Sequence, residues 1–192
     1  MTKKSSIWCN IRPLDEIYED PQVPSIGQAL SPREAMDLAW RLAWQGTGGV
    51  YKNPLVGAAL LSQEGKLLGW GAHLTYGSAH AEQNLLAHLK KKPELWAQLP
   101  GSVMYVTLEP CAHQGKTPSC AKLVSQLPIS KVVYGQGDPH PKVNGRGAKI
   151  LQEAGIQVSH EPELCSYPME RLTEVFFHNC QTTKTPFVGL KI

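Results

Sequence analysis

Apolar residues first recur at helical spacing after Ser31. Ala35, Leu38, Ala39, Leu42 and Ala43 share one face, Ser31-Pro32 offers a cap and a first helical residue, and Gly46 stops the run. Two apolar runs follow, 55–61 and 66–73, separated by Gln63-Glu64-Gly65, which predicts a β-hairpin with a short glycine-containing loop. Residues 79–91 return to helical spacing, with Ala81, Leu85, Leu86 and Leu89 on one face and Ser78 as the expected cap. The chain then alternates. A β-rich run over 103–108 precedes a helix start at Thr117-Pro118 that leads through Leu123, Val124 and Leu127. A strand over 131–134, a Gly/Pro-rich loop over 135–147, a helix to residue 154, a strand over 156–159 and a last helix over 168–178 complete the pattern.

Strands alternating with helices after an opening hairpin predict an α/β fold, with a mixed, largely parallel sheet covered by helices on both faces. The 192 residues suit one domain with appendages. Residues 1–29 hold three prolines and no period and read as an irregular N-terminal extension; 30–181 read as the domain; 182–192 form a tail whose PFVGLKI run has the pattern of a strand.

Composition narrows the function classes. Apolar residues make up 42% and charged residues 18%, ordinary for a globular protein. The net charge of +3 is mild, and Lys90-Lys91-Lys92 closes a predicted helix, where cations are favourable, so nucleic acid is not an expected partner. No apolar run reaches the length of a membrane span, and the first residues lack a signal-peptide core, so the expectation is a cytoplasmic protein without a membrane partner. The five cysteines are odd in number and irregular in spacing, which favours metal or catalytic use over a disulfide framework. Cys9, Cys165 and Cys180 read as core or surface thiols.

Two clusters carry chemistry: His80-Ala81-Glu82, and the stretch from Pro110-Cys111 to Ser119-Cys120. Both lie at predicted helix starts, where the dipole and free N–H groups help keep a thiol ionised. Imidazole and thiolate are ligands zinc prefers, and a catalytic zinc takes three and leaves one position for water. His80 and Cys111 supply two. H-x-E followed by P-C-x-x-C marks zinc deaminases of nucleobases, yet Gln114 stands where the second cysteine would be. The third ligand is therefore either Cys120 or His113 on spacing alone. Glu82, beside the metal group, has the chemistry to shuttle a proton to a substrate nitrogen and to leaving ammonia.

Over residues 31–180 the chain resembles the deaminase domain of the bifunctional riboflavin-biosynthesis enzymes, the diaminohydroxyphosphoribosylaminopyrimidine deaminases. The resemblance is carried by Asn53-Pro54-Leu55-Val56-Gly57, His80-Ala81-Glu82, Thr107-Leu108-Glu109-Pro110-Cys111 with His113, Gly115 and Thr117-Pro118-Ser119-Cys120, Asp138-Pro139-His140-Pro141, Gly145-Arg146-Gly147 and Ala154-Gly155-Ile156. It implies a cytidine-deaminase-like three-layer α/β/α sandwich, one catalytic zinc on His80, Cys111 and Cys120, and Glu82 as the catalytic proton carrier. The reaction it implies is the second step of riboflavin biosynthesis, hydrolytic deamination of 2,5-diamino-6-(5-phosphoribosylamino)pyrimidin-4-one. Asn53, His73, His113, Lys116, Asp138 and His140 are the implied substrate-binding residues, Asn53 on the pyrimidine and His73, Lys116, Asp138 and His140 toward the ribose phosphate. Lys116 suits a phosphate anion.

The sequence departs from the family pattern at His140, usually Asn, and at Ser119, usually Pro. Members usually continue into an NADPH-dependent reductase whose opening strand residues 186–192 resemble, which leaves a stand-alone deaminase or an excised domain as the alternatives. A separate reductase and a second copy of the chain are the implied protein partners. A different pyrimidine or related heterocycle, or a non-catalytic zinc scaffold, are the competing functions; an intact Glu82 speaks against the scaffold, which has no use for that carboxylate.

Overall fold

The computed structural model describes residues 23–113, 118–138 and 144–181. Its centre is a five-stranded sheet in the order β2-β1-β3-β4-β5, formed by β1 (Gly57–Leu61), β2 (Leu67–Ala72), β3 (Val103–Val106), β4 (Lys131–Tyr134) and β5 (Gln157–His160). The hairpin pair β1/β2 and the pair β1/β3 are antiparallel; β3/β4 and β4/β5 are parallel. The sheet is therefore mixed, as the alternation of elements predicts.

Side chains alternate between two cores because successive strand residues point to opposite faces. Ala58, Leu60, Met104, Val106 and Val132 meet the helices α2 (Ala81–Lys90), α4 (Cys120–Val124) and α5 (Arg146–Glu153). Ala59, Leu61, Tyr105 and Val133 meet α1 (Pro32–Ala43) and the start of the last helix, α6 (Glu170–Gln181). Helices on both faces complete the three layers. Each fully buried Leu in these cores, such as Leu38 or Leu85, contributes about 1.5–3 kcal/mol of transfer free energy.

α1 begins where Ser31-Pro32 predicts. The Ser31 hydroxyl accepts from Glu34 N–H, and the Glu34 carboxylate accepts in return from Ser31 N–H at 2.8 Å, a capping box. The α-helix stops at Ala43 and tightens into a 3₁₀ turn, Trp44–Gly46, so the predicted stop at Gly46 marks the end of that turn. A short α3 (Pro93–Trp96) was not anticipated.

The segment before α1 has a structural task despite its lack of period. Gly27 N–H donates to Leu67 O and Leu67 N–H to Gln28 O, both at 2.8 Å, while Ala29 bridges Lys66. These bonds pair the segment with the start of the β2 edge, and Leu30 is buried in the α1-side core. Among the described residues no helix is long and apolar enough to cross a membrane.

Candidate active site

β3 and β4 run parallel, so their carboxyl ends open on the same edge of the sheet, the place where open α/β sheets hold ligands. Three close approaches shape that edge. A Cβ on Gly71 would strike Ala81 O and lie 2.6 Å from Leu85 N, so the first turn of α2 is pressed directly onto β2. A Cβ on Gly147 would strike Pro110 O, so the first turn of α5 abuts the residue before Cys111. The buried Glu109 carboxylate fastens the same junction, accepting from Gly145 N–H at 2.9 Å and Ala148 N–H at 3.1 Å.

His80 occupies the N-cap of α2 in extended conformation (φ −74°, ψ 170°), displacing the expected cap Ser78, whose hydroxyl instead donates to Thr75 O. Gln83 braces His80 by accepting from its N–H at 2.9 Å and donating to Pro118 O at 3.4 Å. α4 starts at Cys120 with Ser119 as its cap, two residues after the predicted Thr117-Pro118 start; the Ser119 hydroxyl accepts from Lys122 N–H. Two helix starts and the β3 exit thus deliver His80, Cys120 and Cys111 to one point.

There the His80 Nδ1 lies 3.6 Å from the Cys111 Sγ and 3.4 Å from the Cys120 Sγ, and the three atoms fall within 4.8 Å of one another. Cys120 N–H donates to the Cys111 sulfur at 3.3 Å. The Cys111 thiol is held down to about 4, chiefly by the hydrogen bond from the Cys120 thiol and with help from His80, against the opposing effect of burial. Cys120 is pushed up, because it gives that bond and is buried. His80 is raised, first by its hydrogen bond with Cys111. One imidazole and two sulfurs sharing protons at this spacing form a donor set that fits zinc: soft sulfur, borderline nitrogen, and three ligands of the four a catalytic site uses. His113 is exposed and stands outside that group, on the cavity wall.

Glu82 is 3% exposed, and burial followed by the charge of Cys111 pushes its carboxyl up to about 7. It lines a cavity of about 330 Å³ together with Asn53, His73, His80, Cys111, His113 and Asp138. His73 and Asn53 are direct neighbours, with Asn53 Nδ2 3.1 Å from His73 Nε2. His73 Nδ1 lies 3.0 Å from Ala79 O, so the ring proton belongs on Nδ1, and Nε2 accepts from the Asn53 amide. Burial lowers the pKa of His73 and so favours this neutral ring, which fixes the orientation of Asn53.

Among the sequence candidates, Asn53, His73, His80, Glu82, Cys111, His113 and Asp138 share the cavity, and Cys120 completes the metal group. Lys116 and His140 lie outside the described residues. Pro54, Val56, Leu108, Glu109 and Phe176 also line the cavity and were not singled out from the sequence as substrate contacts. Asn53-Pro54, Val56 and Leu108-Glu109 stand inside segments that carried the family resemblance, and their position there was a usable signal. Phe176, on α6, stands in none of them.

Residues 31–136 match the family model of the cytidine and deoxycytidylate deaminase zinc-binding region. The chain is 39% identical over 164 residues to the riboflavin biosynthesis protein RibD of Actinobacillus pleuropneumoniae, covering 85% of this chain and 41% of that one. It is 36% identical over 153 residues to the diaminohydroxyphosphoribosylamino-pyrimidine deaminase of Buchnera aphidicola, covering 80% of this chain and 98% of the relative. A crystal structure of a diaminohydroxyphosphoribosylaminopyrimidine deaminase/reductase from Thermotoga maritima superposes with a TM-score of 0.68 at 36% identity, over 81% of this chain and 42% of that one. The chain thus spans about two fifths of the RibD relative and nearly all of the Buchnera one.

Proposed function

This chain belongs to the zinc-binding cytidine and deoxycytidylate deaminase family, and we propose that it hydrolyses the exocyclic amino group of the diaminohydroxyphosphoribosylamino-pyrimidine of riboflavin biosynthesis, releasing ammonia. The observation that carries this reading is the convergence of His80, Cys111 and Cys120 within 4.8 Å beside buried Glu82, on a cavity of about 330 Å³. Such a volume suits a small molecule. The substrate class is supported by the names of relatives that match over most of this chain.

Zinc, held by His80 Nδ1 and the sulfurs of Cys111 and Cys120, would supply the Lewis acidity that lets water give up a proton, and so become a nucleophile, at neutral pH. The work of the protein groups follows from their positions. A Glu82 carboxyl oxygen takes the first proton of the attacking water and hands it to the ring nitrogen of the amidine, then takes the second from the new hydroxyl and gives it to the exocyclic nitrogen, which leaves as ammonia. At that carbon the ring C=N becomes C–NH, the exocyclic C–N bond breaks and C=O forms, with one water consumed and one ammonia released. Burial pushes the Glu82 carboxyl up and keeps bulk water from it. Asn53, held by neutral His73, hydrogen-bonds the pyrimidine. His113 and Asp138 line the substrate cavity, and Lys116 and His140 serve the ribose phosphate.

The proposal includes the domain division 30–181 for the deaminase and 182–192 for a tail resembling a reductase opening. It extends to a reductase and a second copy of the chain as partners, and to the cytoplasm as compartment, where reduced thiols are available as ligands. The test is ammonia release by zinc-loaded protein from the enzymatically prepared ribosylamine phosphate, with cytidine and cytosine alongside. Release from the phosphate is expected, and Glu82→Gln should lower it at least about a hundredfold with zinc retained. Release from cytidine or cytosine alone would replace the substrate, and no release from any of them would overturn the reading.

A further inference from the structure

α6 carries none of the metal or proton chemistry, yet it is tied to two walls of the cavity. Leu55 N–H, between Asn53 and Val56, donates to Leu172 O at 3.2 Å. On the other side the buried Thr173 hydroxyl donates to Gln136 Oε1 at 2.6 Å, and Gln136 O accepts from Glu109 N–H at 2.7 Å. The helix start is also held from α1: Trp40 Nε1–H donates to Pro168 O, and the Asp37 carboxylate accepts from both the N–H and the hydroxyl of Ser166. Residues three and four apart share a helix face, so Phe176 projects from the same face as Thr173 and Leu172, one turn beyond the two anchors. Its half-buried ring accordingly lines the cavity.

A pyrimidine offers polar edges and two flat faces. Asn53 is placed for an edge. Of the lining rings, His80 belongs to the metal group, His73 is committed to Asn53 and Ala79 O, and His113 is a polar imidazole exposed at the cavity rim. Phe176 supplies the remaining flat apolar surface, beside Pro54, Val56 and Leu108. We propose that Phe176 is the wall on which the substrate's heterocycle stacks, which makes the C-terminal helix α6 part of the substrate site. This rests on the deaminase reading above.

Stacking of a base on an aromatic ring contributes binding energy without taking part in proton transfer, so its loss should appear in KM. The experiment measures kcat and KM for ammonia release from the ribosylamine phosphate for wild type, Phe176→Leu, Phe176→Tyr and Val175→Ala, together with zinc content and Tm. Phe176→Leu should raise KM about tenfold with kcat within about twofold, and Phe176→Tyr should stay within about threefold of wild type in both. Val175→Ala, a change at an exposed neighbour, should leave both constants as they are. If Phe176→Leu folds poorly, the Tyr variant decides: retention of KM supports stacking, and a tenfold rise in its KM overturns it. An unchanged KM in Phe176→Leu overturns the inference, as does a loss confined to kcat, which would make Phe176 a support of the catalytic groups. A wild-type protein that releases no ammonia overturns the deaminase reading and this inference with it.

Discussion

His80, Cys111 and Cys120 reach one point from three segments of the chain, and His113, the alternative ligand on spacing alone, remains exposed outside the group. Cys120→Ser should therefore lose bound zinc while His113→Ala keeps about one per chain, read by elemental analysis after gel filtration. The reverse result would move the third ligand to His113. At this scale the donor types were legible, because zinc chemistry restricts them to a few residues, and so was Glu82 as the carboxylate beside them. The third ligand was not legible from spacing, since ligands nine and two residues from Cys111 can each close on a metal. Phe176 was invisible for a different reason: half-buried phenylalanines on an amphipathic helix are ordinary core residues until the helix is placed. The Asn53–His73 contact was equally hidden, being a hydrogen bond between residues twenty apart in sequence.

Among the elements, the first turn of α2 is positioned by contact with β2 at Gly71, where a methyl group would meet Ala81 O and Leu85 N. Gly71→Ala should cost about 1–3 kcal/mol of stability and lower Tm by about 2–12 °C, measured by calorimetry. An unchanged Tm would show that the helix yields freely there. The capping box of α1 gives a pH signature. Glu34 is held below the usual carboxylate range, first by the N–H of Ser31 and then by its hydroxyl. A lowered folded pKa contributes stability that is full above the unfolded value, about 4.3, and is lost as pH falls through the folded value. The Tm gap between wild type and Glu34→Ala should accordingly be wider at pH 7 than at about pH 3. A gap equal at both pH values would remove the ionised carboxylate from the cap. Ser31-Pro32 marked this helix start clearly, because the cap is a local hydrogen bond. Ser78 misled for the converse reason, since the cap of α2 is His80, braced by Gln83 and by the distant Pro118.

Across the whole molecule, the metal group joins α2, α4 and the β3 exit, and α6 spans from the Leu55 segment to the Gln136 loop, so binding should stabilise the assembly rather than one element. A ligand present at a hundred times its dissociation constant adds about 2.7 kcal/mol, so zinc removal should lower Tm by about 5–11 °C while far-ultraviolet circular dichroism stays that of a folded protein. A Tm indifferent to zinc would mean the three side chains do not hold it. The sequence by itself determined the α/β class, the order of the strands and longer helices, and the set of residue types suited to bind a metal and carry a proton. Those follow from periodicity, caps and ligand chemistry, each written within a few residues of chain. Tertiary structure chose Cys120 over His113, which spacing had left open, and alone decided that His73 orients Asn53, that residues 27–29 pair with the start of β2, and that the last helix walls the cavity with Phe176. Each of these joins residues distant in sequence, and such contacts are set by how two faces pack, which no local pattern of residues records.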